Sequence, residues 1–175
     1  MTLDPLIVSN LHVVSAALAI ISWTTIYFVF VRPAVAHDRD LHLKVLIAPH
    51  LFRYLGLITF FPVLFPVQSL GFSPEYLAQI GLGDAISGVL ALIALIALAV
   101  RMPGAVLLVW IFNIVGMADF ANAGLSMMGK LSADPSSVGP LGWVLLTLYL
   151  PMLTVSHFVI FWVLLSRDSA SAKPA

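Results

Sequence analysis

The stretch Val106-Leu-Leu-Val-Trp-Ile-Phe-Asn-Ile-Val-Gly-Met-Ala-Asp-Phe-Ala-Asn-Ala-Gly124 decides the reading of this chain. It is apolar and long enough to cross a bilayer, which takes ~20 residues of helix. Yet Asn113, Asp119 and Asn122 lie within it. A carboxylate at membrane depth costs on the order of 2.5–3.5 kcal/mol even on the lenient insertion scale, and such groups usually face a protein interior and have partners. Asp119 therefore asks for answering residues elsewhere.

The composition supports the membrane reading. Of 175 residues, 61% are apolar and 9% charged, with a mean hydropathy of +1.08. Soluble domains carry roughly 25% charged residues. The net charge is zero, so no basic surplus points to nucleic acid. With no cysteine, thiol exchange, thiolate metal sites and Cys nucleophiles drop out. Ala34-Val35-Ala36 resembles a signal-cleavage site, but the preceding apolar run is too long for a signal peptide and no Lys or Arg comes before Arg32. That run is read as a retained first helix.

Five apolar segments are expected to span, at about 9–31, 45–67, 81–100, 104–125 and 141–166. The expected fold is an all-α integral membrane protein, a five-helix antiparallel bundle in one domain over residues 1–166. Residues 167–175 are expected to form a disordered cytoplasmic tail. Segments of this length do not resemble the ~10-residue alternating strands of a membrane barrel. Arg32, Arg39, Lys44, Arg101, Arg167 and Lys173 fall on one side, and Lys130 on the other. The positive-inside rule puts the N-terminus outside and the C-terminus in the cytoplasm, in a cell membrane of bacterial type.

Within the spans, the candidate ligand-binding or proton-relay residues are His50, Arg53, Asp84, Asn113, Asp119, Asn122 and His157. His50 and Arg53 stand three apart and share a helix face. Arg53 is expected ~12 Å in from the cytoplasmic end of its helix, within reach of the headgroups by snorkelling. Asp84 sits near a helix start, where an acidic group is favoured. Trp110, Asn113, Gly116, Asp119 and Asn122 recur at steps of three, each ~60° short of a turn, so they wind around the helix. Thr147, Pro151, Thr154 and His157 form a stripe, and Pro151 leaves the Thr147 carbonyl without its helical donor. By depth, the carboxylates are expected in an outer layer and His50, Arg53 and His157 in an inner one. His37, Asp38, Asp40 and His42 are expected to form a solvated turn, not a metal site.

Four functions are compatible with this pattern. The first is binding or passage of a small polar solute or protons, because intramembrane Asp and His mark such paths. The second is a haem b redox protein with His50 and His157 as axial ligands. The third is a lipid- or isoprenoid-modifying enzyme using Asp119 and His157 as acid and base. The fourth is an assembly subunit without a site. The expected partners are the lipid bilayer, a small solute or lipid ligand, and a second copy in a homo-oligomer.

Overall fold

The computed structural model describes residues 5–61, 72–131 and 143–166. Among them all regular structure is helical. The first span comprises α1 (Pro5–Ile26), a π turn (Tyr27–Val31) and α2 (Arg32–Val35). The second is α3 (Arg39–Ile47) running into a 3-10 helix (Ala48–Phe60). The third is α4 (Pro74–Ala99) and the fourth α5 (Ala105–Leu131). The fifth opens with a π turn (Leu145–Tyr149) and continues as α6 (Leu150–Leu165). Five stretches are long and apolar enough to cross a membrane: Val13–Val35, Arg39–Phe60, Pro74–Ala99, Ala105–Leu125 and Leu145–Leu165. The expected tail, and the expected ends of the second span beyond residue 61 and of the fifth before residue 143, lie outside the described residues.

The second and third helices begin earlier than hydropathy suggests, at Arg39 and Pro74, because caps set their starts. Asp38 accepts from the Leu41 N–H at 3.0 Å, and this bond holds its carboxyl below the ordinary carboxylate range. Ser73 accepts from the Tyr76 N–H at 3.2 Å, with Pro74 in the first turn, where a missing donor costs nothing. The turn residues around Asp38 thus have structural duties. His42 is buried and bonded to the Tyr27 hydroxyl at 3.0 Å. Among the described residues no group of His, Cys, Asp or Glu is arranged to hold a metal.

The 3-10 segment runs for 13 residues, whereas such runs rarely exceed 3–4. With 3.0 residues per turn, residues three apart eclipse one another. His50, Arg53, Gly56 and Thr59 stand at that interval, and the side chains of His50, Arg53 and Thr59 are all buried. An α-helix would have turned each step away by ~60° and spread the row over about half the circumference. The 3-10 geometry keeps the polar row in line against the bundle interior.

In the fifth span, Pro151 has no N–H for the Thr147 carbonyl, and the helix widens to a π turn just before it. The carbonyl taken by a neighbouring side chain is that of Leu148, which accepts from Trp23 Nε1 at 3.1 Å. This bond ties the first span to the fifth.

The third span is central, with the 3-10 helix on one side and α5 on another, while α6 packs on α1, α3 and α5. Small residues Gly88, Ala91 and Ala94 repeat along the buried face of α4 and let its neighbours approach. A large apolar core holds Leu43, Ile47, Ala91, Ala94, Val109, Phe112 and Ile160. A smaller one gathers Phe72, Leu77 and Leu146.

At the end of α4, the Met102 N–H reaches the Ala97 carbonyl at 2.9 Å and the Arg101 N–H reaches that of Leu98 at 3.4 Å. This pairing is a Schellman cap, and it places Arg101 at φ 53°, in the left-handed region that favours glycine. Arg101→Gly is expected to raise stability by about 1 kcal/mol, measured as a shift in unfolding midpoint in detergent.

Candidate functional site

The carboxylates of the third and fourth spans are answered by one residue of the second. Arg53 Nε donates to Asp84 Oδ1 at 2.8 Å and Nη2 to Asp119 Oδ2 at 2.7 Å. Nη1 donates to the Gly116 carbonyl at 3.1 Å and to His157 Nε2 at 3.2 Å. The Arg53 side chain is 1% exposed, against 21% for Asp84 and 15% for Asp119. Arg53 does not snorkel; it is sealed inside the bundle with four of its five N–H groups engaged.

These bonds fix the tautomer of His157. A guanidinium only donates, so Nε2 accepts and the ring proton sits on Nδ1. Nδ1 then donates to Asn113 Oδ1 at 2.7 Å, and Asn113 Nδ2 donates to the His157 backbone carbonyl at 3.2 Å. Asn113 and His157 are both fully buried, so this closed ring of bonds removes the cost of placing them there. His50 packs its ring on that of His157 with centroids 4.2 Å apart, and both rings touch Phe112. His50 Nε2 lies 2.6 Å from Ser156 Oγ.

Glycines make room for the cluster. A Cβ on Gly83 would collide with Asp119 Oδ1, and one on Gly56 with Asp84 Oδ2. A Cβ on Gly116 would stand 2.8 Å from His157 and 2.9 Å from Arg53. The carboxylates therefore lie directly on the glycine backbones of neighbouring helices. A pocket with ≈ 70 Å³ of room for water-sized molecules adjoins the cluster. Arg53, Asp84, Asp119, Thr59 and Tyr149 give it polar groups, and Ile80, Phe120 and Leu146 are among its apolar walls.

His50, Arg53, Asp84, Asn113, Asp119 and His157 come together, while Asn122 does not join them. Its side chain is exposed, and its backbone carbonyl accepts from the Tyr76 hydroxyl at 3.3 Å. The winding of the α5 ladder explains this: Asn113 faces the fifth span, Asp119 the second, and the Asn122 side chain has turned outward. Thr147 and Thr154 also stay out, bonding back to the Trp143 and Leu150 carbonyls. Ser156, Gly56, Gly83 and Gly116 were not singled out as binding residues. Residue types alone do not show that a carboxylate would be what approaches these glycines.

The two expected polar layers are one cluster. Its helix starts at Arg39 and rises ~2.0 Å per residue through the 3-10 part, which puts Arg53 about 25 Å from that start along the axis. The sequence expectation was about half that depth. Arg53 thus reaches both carboxylates.

The haem reading does not fit. Imidazole rings with centroids 4.2 Å apart leave no space for a macrocycle between them, and both His157 nitrogens are engaged. His157 is fully buried with both ring nitrogens engaged, which leaves it no free nitrogen for the expected role of base beside Asp119.

A family model described as a domain of unknown function (DUF8737) matches residues 11–165, and the chain belongs to that family. No curated protein and no solved structure matches it.

Two glycine substitutions are expected to act in opposite directions. Gly83→Ala should lower stability by about 1–3 kcal/mol through overpacking against Asp119. Gly124→Ala, whose Cβ would meet only Phe120 at 3.8 Å, should raise it by up to about 1 kcal/mol through helix propensity. Unfolding midpoints of both variants check the pair.

Proposed function

We propose that this protein binds or passes a small cation, a proton or the cationic part of a solute, at Asp84 and Asp119. Arg53 is the resident counter-ion. One observation carries the reading: a single sealed guanidinium is shared by two carboxylates that both line a pocket. With both ionised, the site holds one more negative than positive charge. In a low-dielectric interior that surplus is costly until a cation offsets it. The cation reaches the carboxylates from the pocket, while the positive partner stays behind them.

Arg32, Arg39, Lys44 and Arg101 gather at the end of the bundle away from the pocket. By the positive-inside rule that end is cytoplasmic, the N-terminus lies outside, and the pocket opens in the outer half of a bacterial cytoplasmic membrane. Passage across the membrane, as opposed to binding, calls on a homo-oligomer, since five spans are few to enclose a complete path. His50, His157 and Asn113 then serve to hold Arg53 in place.

Dicyclohexylcarbodiimide, an apolar reagent that adds to protonated carboxyl groups, tests the reading on the full chain in detergent. Peptide mass spectrometry is expected to find the adduct on Asp84 or Asp119. Its rate should fall with rising pH, and also with added sodium or methylammonium if the occupant is a cation other than the proton. Carboxyl groups inert at every pH and salt concentration would overturn the proposal.

A further inference from the structure

The pocket at Arg53 shares a wall with a second cavity. Phe120, Gly124, Leu146 and Leu150 line it and also line a second hollow of ≈ 330 Å³ between the first, fourth and fifth spans. Ala16 and Ile20 of α1 form the far wall of that hollow, and Phe158 stands at its rim. The one hydroxyl among its lining residues, Thr154, already donates to the Leu150 carbonyl at 2.8 Å. Ile20, Leu125 and Phe158 are exposed, so the hollow opens on the side of the bundle. The first span is the loosest wall: 6% of its most apolar window is buried, against 28–39% in the other four.

We propose that the ion cluster and the side hollow form one binding site for a single-chain membrane amphiphile with an amine head. The proposal rests on the cation reading above and names its ligand class. The head is cationic because the two carboxylates outnumber the guanidinium. The tail is hydrocarbon because the hollow offers it no free polar partner, and a polar chain there would lose its hydration uncompensated. Entry is sideways, past Phe120 and Gly124, from the lipid that surrounds the spans. Free small cations lack the tail and use only the inner pocket.

Photolabelling of the full chain in nanodiscs tests this, using decylamine with a diazirine near its methyl end and the matching decanol probe as control. The amine probe is expected to label peptides containing Ala16, Ile20 and Phe158, with yield reduced about tenfold in Asp119→Asn, the loss of one charge-assisted contact. Ala16→Trp, on the wall of the hollow away from the inner pocket, should close the hollow and abolish that labelling, while the carbodiimide reaction at Asp84 or Asp119 keeps its response to cations. Gly124→Leu, whose first side-chain atom has room, fills the shared wall and should abolish the labelling as a second variant. Equal labelling by the decanol probe, or labelling spread evenly over the exposed Leu92 and Ile96, would mean contact with bulk lipid only and would overturn the inference. The cation reading survives that result if the carboxyl groups still respond to cations, and falls separately if they do not.

Discussion

The structure depends on one guanidinium. Arg53 is sealed among four spans, and each supplies something it needs. The second provides the side chain, the third Asp84, the fourth Asp119 and the Gly116 carbonyl, and the fifth His157. A buried cation without such a set would cost several kcal/mol, and even a well-paired one gains little over an apolar core. Its presence is therefore better explained by what it does to the neighbouring carboxylates than by net stabilisation. It holds two of them at the edge of a pocket, each partly exposed.

The local geometry follows from that constraint. A thirteen-residue 3-10 helix is an uncommon solution, but its threefold period aligns His50, Arg53, Gly56 and Thr59 along one edge and carries Arg53 to the depth of Asp119. The bottom of the row is tied as well, since the single Thr59 hydroxyl proton is shared between the carbonyls of Gly56 and Leu77, each 2.9 Å from Oγ1. At its top, the Tyr149 hydroxyl donates to the Pro49 carbonyl at 3.2 Å, linking the start of the 3-10 segment to the π turn of the fifth span. Two of the three departures from α geometry among the described residues thus meet beside the site. Gly56, Gly83 and Gly116 complete the arrangement, because a methyl group at any of them would meet the cluster.

Much of this was legible in the chain. The cost of burying Asp119 in an apolar run pointed to a polar interior, and the i,i+3 spacing of His50 and Arg53 placed both on one face. The structure brings both together with His157, Asn113 and Asp84. Less legible was depth: the helix starts six residues earlier than expected, at Arg39, and the 3-10 rise adds a further ~3 Å, so two layers were expected where one cluster exists. Asn122 looked equivalent to Asp119 in the α5 ladder, yet the drift of a three-residue step carries it outward. The helix starts at Arg39 and Pro74 were set by capping hydrogen bonds that hydropathy does not register. Residue spacing also could not show how closely His50 and His157 pack, and that contact is what excludes a haem between them.

The most direct measurement is a stability cycle in mixed micelles comparing the native chain, Arg53→Met, Asp84→Asn with Asp119→Asn, and all three substitutions together. If Arg53 answers both carboxylates inside the bundle, Arg53→Met alone loses about 3–5 kcal/mol by orphaning them, and removing the carboxylates as well restores most of that loss. Losses that simply add, with the triple variant the least stable of the set, would mean that Arg53, Asp84 and Asp119 are not energetically coupled and would contradict the account.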